Sequence, residues 1–335
     1  ERREQRELRH VLVHIREVAG VEAVAVFHCA RISRLLECTP ARAGRGGSEK
    51  ECSAVAEYWY DSHDGLRLFS RVYSGPAADA PVVLCLHGLM RNSRDFGDLA
   101  THLAARYRVI APDIRGRGFS DRDRNFNNYR IPVYLEDVGT LLAGLGVTSV
   151  SIVGTSMGGL MAMVLAATEP ALVARIVLND VGPEVDPAGL ARIRGYAGKT
   201  APVKSWAEAT AQVRALYGAA WPGLPDSRWE EIVRLSYRAN AAGLLEVDAD
   251  PLISEPLKDW KAVAPDLWPL WKSLGAPILA IRGATSDILS VSTLERMKRE
   301  KPDLRTLTAA NRGHTPLLDE PECLAAIDEF LAAGA

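Results

Sequence analysis

Short apolar segments alternate with segments of helical periodicity along most of this chain. The apolar segments are rich in Val, Ile and Leu, which is typical of buried strands. The predicted buried strands span residues 82–86, 108–111, 149–153, 174–178, 277–282 and 304–307. Helices are predicted between them, because apolar side chains recur there every three or four residues. The alternation predicts an α/β fold with a mostly parallel, doubly wound sheet covered by helices on both faces.

Two stretches depart from this alternation. Residues 1–53 differ in composition from the rest and form an N-terminal extension of uncertain role. Residues 182–261 are helix-rich without an obvious buried strand, which predicts a helical cap inserted into a core of residues 54–181 and 262–335. The cap contains four tryptophans, which together indicate an apolar pocket wall. They are Trp206, Trp221, Trp229 and Trp260.

Composition narrows the functional class. The 335 residues carry a formal net charge of -2 and five cysteines. This charge favours neither nucleic acid nor a membrane surface as a partner. The cysteines form no Cys-x-x-Cys pair, so no disulfide framework or metal site is expected, and a cytoplasmic location fits best. No apolar run approaches the length needed to span a membrane, and a homodimer is left open.

The segment 154–158 reads Gly-Thr-Ser-Met-Gly between a predicted strand and a predicted helix. Such a tight strand-to-helix turn favours glycine and exposes the hydroxyl of Ser156. The N–H of Met157 lies at the helix N-terminus, where unpaired N–H groups favour negative charge. Ser156 is therefore a candidate nucleophile, and Met157 a candidate oxyanion donor. The alternative is a glycine-rich turn with a solvated serine.

A serine nucleophile needs a base and a group that orients the base. Of the seven histidines, only His314 follows Ser156, and it lies in the loop after the last predicted strand. Asp180 and Asp287 each follow a predicted strand. Asp287 is preferred as the acid, because its strand is expected to lie beside the strand that leads to His314. Asp180 is expected to brace the entry to the cap.

Four segments together resemble the α/β-hydrolase superfamily in its capped form, over about residues 58–331. They are Leu86-His87-Gly88-Leu89, the loop 113–118, the turn around Ser156, and Gly313-His314. The resemblance implies Ser156 as nucleophile, His314 as base and Asp287 as acid. It also implies the backbone N–H groups of Leu89 and Met157 as the oxyanion hole. His87, Asp113 and Arg115 are expected to brace loops.

The resemblance implies a serine hydrolase that cleaves carboxylic esters of small to medium apolar substrates through an acyl-enzyme. Such an enzyme needs no cofactor and no metal, and its partner is a small-molecule ester. A serine in place of aspartate at the turn argues against dehalogenases and epoxide hydrolases. The alternatives are a lactonase or a carbon–carbon bond hydrolase of ring-cleavage products, although the segment after His87-Gly88 lacks their longer glycine-rich loop. A non-catalytic binding protein of the same fold is a further alternative, which the filled triad positions disfavour.

Overall fold

The structure is a computed structural model that describes residues 55–258 and 266–333. The predicted extension 1–53 and Trp260 lie outside the described residues.

Ten strands lie within the described ranges. They are β1 (Val55–Asp61), β2 (Arg67–Tyr73), β3 (Val82–Leu86), β4 (Arg108–Asp113), β5 (Val150–Thr155), β6 (Val173–Asn179), β7 (Tyr237–Ala239), β8 (Leu245–Val247), β9 (Ile278–Gly283) and β10 (Arg305–Ala309). Eight of them form one sheet in the order β1-β2-β4-β3-β5-β6-β9-β10. The sheet is parallel from β4 to β10, whereas β2 pairs antiparallel with both β1 and β4. The predicted mostly parallel α/β sheet is confirmed.

Ten α-helices lie within the described ranges. They are α1 (Gly97–Leu103), α2 (Ile131–Gly144), α3 (Met157–Thr168), α4 (Pro187–Tyr196), α5 (Trp206–Tyr217), α6 (Asp226–Ser236), α7 (Glu255–Lys258), α8 (Trp268–Ser273), α9 (Val291–Glu300) and α10 (Pro321–Ala332). Helices α2 and α3 pack on one face of the sheet, and α1 and α10 pack on the other. Alternate side chains of each strand point to opposite faces. Leu84 and Ile152 thus pack in the cluster that contains α2 and α3, whereas Val83 and Cys85 pack with α1 and α10. This two-sided burial explains the apolar character of the strands.

The segment between β6 and β9 contains α4, α5 and α6 and, in addition, the strand pair β7–β8. The sequence pattern predicts no strand there, because three-residue strands are too short to show a periodic pattern. The segment has a small core of its own, in which Trp221 and Trp229 pack with Ile232 and Val233. Its boundaries as a separate cap, residues 182–261, stay a prediction. None of the helices in the described ranges combines the length and the hydrophobicity that crossing a bilayer requires.

Candidate active site

Ser156 lies in the sharp turn between β5 and α3. Its backbone has φ 52° and ψ −113°, which is unusual for a residue with a side chain. The turn brings backbone segments close together. A Cβ added at Gly158 would lie 1.9 Å from the carbonyl oxygen of Leu86, and one added at Gly154 would lie 2.5 Å from the carbonyl oxygen of Gly158. Only glycine fits at these two positions, and the predicted strand–turn–helix geometry is present.

A hydrogen-bonded chain of side chains runs from Ser156 through His314 to Asp180. Nε2 of His314 lies 3.0 Å from Oγ of Ser156, and Nδ1 of His314 lies 2.8 Å from Oδ2 of Asp180. Asp180 is completely buried and His314 is 7% exposed. A carboxylate at Nδ1 holds the proton on that nitrogen, which leaves Nε2 free to accept the proton of the hydroxyl. The arrangement can therefore generate a serine nucleophile.

Asp180 is held in place by the end of β9 and by the loop that follows it. The N–H of Gly283 donates to Oδ1 of Asp180 at 2.8 Å, and the hydroxyl of Ser286 donates to Oδ2 at 2.6 Å. The backbone of Asp180 has φ 58°, and its N–H donates to the carbonyl oxygen of Ile281 at 2.7 Å. These contacts aim the carboxylate at His314. Ser286 was not identified from the sequence, where one serine in a polar loop gives no signal.

The prediction that Asp287 contacts His314 is wrong. Oδ2 of Asp287 accepts from Nε of Arg192 at 2.5 Å, and Oδ1 accepts from Nη2 at 2.8 Å. The hydrogen bond from Arg192 lowers the pKa of the Asp287 carboxyl. The reason for the difference is loop length: Asp180 follows the last residue of β6 directly, whereas three residues separate Asp287 from the end of β9. Those residues carry Asp287 past His314 to α4.

Two backbone N–H groups next to Ser156 are candidates for an oxyanion hole. Met157 is the first residue of α3, and Leu89 lines the same cavity as Ser156. Neither N–H donates a hydrogen bond to another residue in the described part of the chain. Both donors are therefore available to a ligand, and their role stays a prediction.

His87 and Asp113 brace the loops beside Ser156, as the sequence predicts. Nδ1 of the His87 ring lies 2.8 Å from the carbonyl oxygen of Gly88, and Nε2 accepts from the N–H of Ile114 at 3.0 Å. Burial, together with a nearby arginine, lowers the pKa of His87 to about 4, so the ring stays neutral. Asp113 accepts from the N–H groups of Ser93 and Phe119. The ring of His87 is thus bound on both nitrogens and does not act as a base at Ser156.

Arg115 is a second brace, at the centre of a buried ionic network. Its guanidinium binds both carboxylate oxygens of Asp137 at 2.7 Å, Asp123 at 2.7 Å and Asp64 at 2.9 Å. His63, Asp64 and Asp137 have ligand atoms within 4.8 Å of one another, a spacing that a metal ion could use. However, both carboxylates of this group already bind Arg115. The described residues of the group therefore fit an ion-pair network better than a metal centre.

The side chains of Ser156 and His314 open into a cavity of about 90 Å³. Seven residues from the segment between β6 and β9 line it, namely Ile193, Tyr196, Tyr217, Trp221, Arg228, Ile232 and Leu235. The same segment binds the loop that carries the histidine. The indole N–H of Trp221 donates to the carbonyl oxygen of Thr315 at 2.7 Å, and the N–H of Gly313 donates to the carbonyl oxygen of Ala220 at 2.7 Å. Of the tryptophans predicted to form a pocket wall, Trp221 does so, whereas Trp206 is 37% exposed.

Comparison with known proteins places the chain in a family. Residues 81–321 match the family model of the alpha/beta hydrolase fold, so the chain belongs to that family. A crystal structure of an alpha/beta hydrolase from Novosphingobium aromaticivorans is similar, with a TM-score of 0.79 and 41% sequence identity. That similarity covers 84% of this chain and 99% of the other chain.

Two relatives have named activities. The 3-hydroxybutyrate-oligomer hydrolase of Cupriavidus necator is 34% identical over 271 residues, covering 76% of this chain and 90% of the relative. The 2-(acetamidomethylene)succinate hydrolase of Mesorhizobium japonicum is 26% identical over 258 residues, covering 76% of this chain and 88% of the relative. Both relatives are named as hydrolases, and the chain belongs to the family of the alpha/beta hydrolase fold.

Proposed function

We propose that this protein is a carboxylic ester hydrolase that acts on small to medium, largely apolar esters through an acyl-enzyme. The observation that carries the proposal is the hydrogen-bonded chain Ser156–His314–Asp180, which ends in a cavity. A serine beside a histidine whose far nitrogen is bound to a buried carboxylate is the arrangement that acyl transfer requires.

In the proposed reaction, Oγ of Ser156 attacks the acyl carbon and its proton passes to Nε2 of His314. The buried carboxylate of Asp180 stabilises the imidazolium that forms, a role that the sequence pattern predicts for Asp287. The N–H groups of Leu89 and Met157 bind the oxyanion; one such donor typically contributes about 10²–10³-fold to the rate. His314 then protonates the leaving alcohol, and a water molecule activated by the same ring releases the acid.

The segment 182–261 acts in this proposal as a cap that selects the substrate, because its side chains line the cavity beside Ser156. Esters of short hydroxy acids are the first substrates to test, since a relative at 34% identity is named for hydrolysis of 3-hydroxybutyrate oligomers. A lactonase and a carbon–carbon bond hydrolase of ring-cleavage products remain the alternative enzymes. A binding protein without activity is the third alternative.

A substrate panel separates these alternatives. It contains p-nitrophenyl esters of increasing length, the 3-hydroxybutyrate dimer and trimer, a lactone, a ring-cleavage diketone and 2-(acetamidomethylene)succinate. We expect the highest kcat/KM on an ester. A lactone or diketone turned over faster than every ester would reassign the reaction, and no turnover of any member would favour the binding protein.

The Ser156→Ala variant tests the nucleophile directly. Ester hydrolysis should fall by up to about 10⁶-fold, as in other enzymes that lose a triad serine, with an unchanged circular dichroism spectrum. An organophosphonate should label Ser156 in the wild type. The matched control is Ser151→Ala on the same strand, which should stay active and be labelled. Labelling of another residue, or an active Ser156→Ala variant, would overturn the assignment.

A further inference from the structure

A second cavity, of about 300 Å³, lies next to the one that contains Ser156. It is lined by α5, by β8 and by the loop after α4, with Thr200, Leu216 and Val247 among its walls. No step of the proposed reaction uses this space.

The two cavities share a wall. Met90, Arg91, Tyr196 and Tyr217 line both of them. Met90 and Arg91 directly follow Leu89, a predicted oxyanion donor, while the two tyrosines come from the ends of α4 and α5. Their rings meet edge to face, with centroids 6.0 Å apart. The second cavity therefore adjoins the space in which an ester bound at Ser156 would lie.

The volumes indicate that the first cavity holds only part of a substrate. Pockets that bind small molecules usually measure roughly 300–1,000 Å³. The cavity at Ser156, at about 90 Å³, is smaller than this range and suits the reacting ester group with a short substituent. The second cavity, at about 300 Å³, reaches the range.

The lining of the second cavity is mixed in polarity. Apolar surface comes from Val213, Val247 and Ala249, whereas Arg91 supplies hydrogen-bond donors. Arg91 binds both oxygens of Asp95 at 2.6 Å and the hydroxyl of Ser236 at 2.6 Å. These bonds use three of the five N–H groups of a guanidinium and leave two without a partner among the described residues. Such a surface suits a chain in which short apolar stretches alternate with carbonyl or carboxylate oxygens.

We propose that the second cavity is an extension subsite for linear oligoesters. It binds the unit attached to the hydroxyl oxygen of the acyl unit that reacts with Ser156, on the side away from the leaving alcohol. The inference rests on the proposed ester hydrolysis and specifies its substrate class. The apolar part of this additional unit packs between α5 and β8, and an N–H of Arg91 donates to its carbonyl oxygen.

Chain length gives the first test. The hydroxybutyrate trimer should show a kcat/KM on the order of tenfold above that of the dimer, and the tetramer should gain little more, because the subsite is then filled. The p-nitrophenyl alkanoates of matching length should gain less, since an alkyl chain offers Arg91 no acceptor. Equal values for dimer and trimer would overturn the extension subsite. An equal gain for the alkanoates would overturn the oligoester class.

Filling the subsite gives the second test. Leu216→Trp on α5 and Val247→Phe on β8 place larger side chains on two different walls of the second cavity. If one variant does not fold, the other still tests the subsite. In each folded variant, the ratio of kcat/KM for the trimer to that for p-nitrophenyl acetate should fall on the order of tenfold. Ala215→Trp places the same indole on the neighbouring exposed position of α5 and should keep the wild-type ratio.

The two levels of the proposal fail separately. Oligoester hydrolysis that survives Ser156→Ala would overturn the proposed function. Hydrolysis that depends on Ser156, with an unchanged ratio in both filling variants, would overturn the extension subsite alone.

Discussion

Replacing Asp180 by asparagine should nearly abolish turnover while leaving the fold intact. The carboxylate accepts hydrogen bonds from Gly283, Ser286 and Nδ1 of His314. An asparagine carbonyl oxygen can still accept from Gly283, but its amide nitrogen donates toward His314. The ring then carries its proton on Nε2, facing Ser156, and cannot accept the proton of the serine. A wrong tautomer of this kind costs about 10⁴-fold in kcat in the serine-protease precedent, which is about 5 kcal/mol.

The same change at Asp287 should have a much smaller effect. Its carboxylate contacts Arg192 rather than His314, and the two side chains are 39% and 33% exposed. Ion pairs of this exposure contribute about 0–1 kcal/mol. Asp287→Asn should therefore change kcat only a few-fold. The change in KM should be larger than the change in kcat, since Arg192 lies on α4 with Tyr196 of the cavity wall.

The assay is steady-state hydrolysis of p-nitrophenyl butyrate, with thermal unfolding as the measure of folding. The expected ratio of kcat between Asp287→Asn and Asp180→Asn is about 10³ or more. Equal kcat values, or a lower kcat for Asp287→Asn, would refute the reasoning and show that the acid acts from the loop after β9.

Two further predictions concern the frame around the site. Gly158→Ala should destabilise the protein by about 1–3 kcal/mol and lower kcat, because the added Cβ would lie 1.9 Å from the carbonyl oxygen of Leu86. Gly97→Ala is the control, since a Cβ at this position meets nothing within 4 Å. It should change neither the stability in thermal unfolding nor kcat in the hydrolysis assay. A Gly158→Ala variant as stable and active as wild type would contradict the crowding argument. Burial lowers the pKa of His87 from 6.5 to about 4. As the pH falls, the His87 ring therefore takes up a proton in the unfolded chain before it does so in the folded chain. The contribution of the neutral, buried His87 ring to stability is thus present above pH 6.5 and is lost as the pH falls to about 4. Urea unfolding of His87→Asn should show a shallower loss of stability over that interval, and an unchanged slope would exclude His87 as its source.

The sequence predicts most of the fold because the buried strands are apolar on both faces. The strands around Ser156, Leu84 and Ile281 all have this character, so their place in the chain is visible without a structure. The pair β7–β8 was missed, since each strand has three residues and packs on a local core. Sheet order is only partly visible: β9 does lie beside β10, as expected.

The position of β9 beside β10 is predicted correctly, but it favours Asp287, which does not contact His314. β6 also lies beside β9, so the carboxyl ends of β6, β9 and β10 all meet near His314. Sheet order alone therefore allows either Asp180 or Asp287. The choice depends on how far each residue stands from its strand: Asp180 follows β6 directly and is buried, whereas Asp287 lies beyond a loop and is half-exposed. Distance along the chain from the strand end is thus the sequence feature that would have favoured Asp180.

The segment between β6 and β9 contacts both the cavity at Ser156 and the loop that carries His314. Under the proposed function, these contacts would couple substrate specificity to the rate of the reaction. Tyr196 and Tyr217 line the cavity, while Trp221 and Ala220 bind the backbone on either side of His314. A substitution that moves α5 to fit a larger substrate would also move the last two contacts, because Ala220 and Trp221 follow α5 within four residues. Since a displacement of about 1 Å at a reacting group can cost 10²-fold in rate, such a change should lower kcat as well as alter KM. Strand β8 does not carry the residues that bind the backbone beside His314. Substitutions on the wall that β8 contributes to the second cavity should therefore change the substrate range with less effect on kcat.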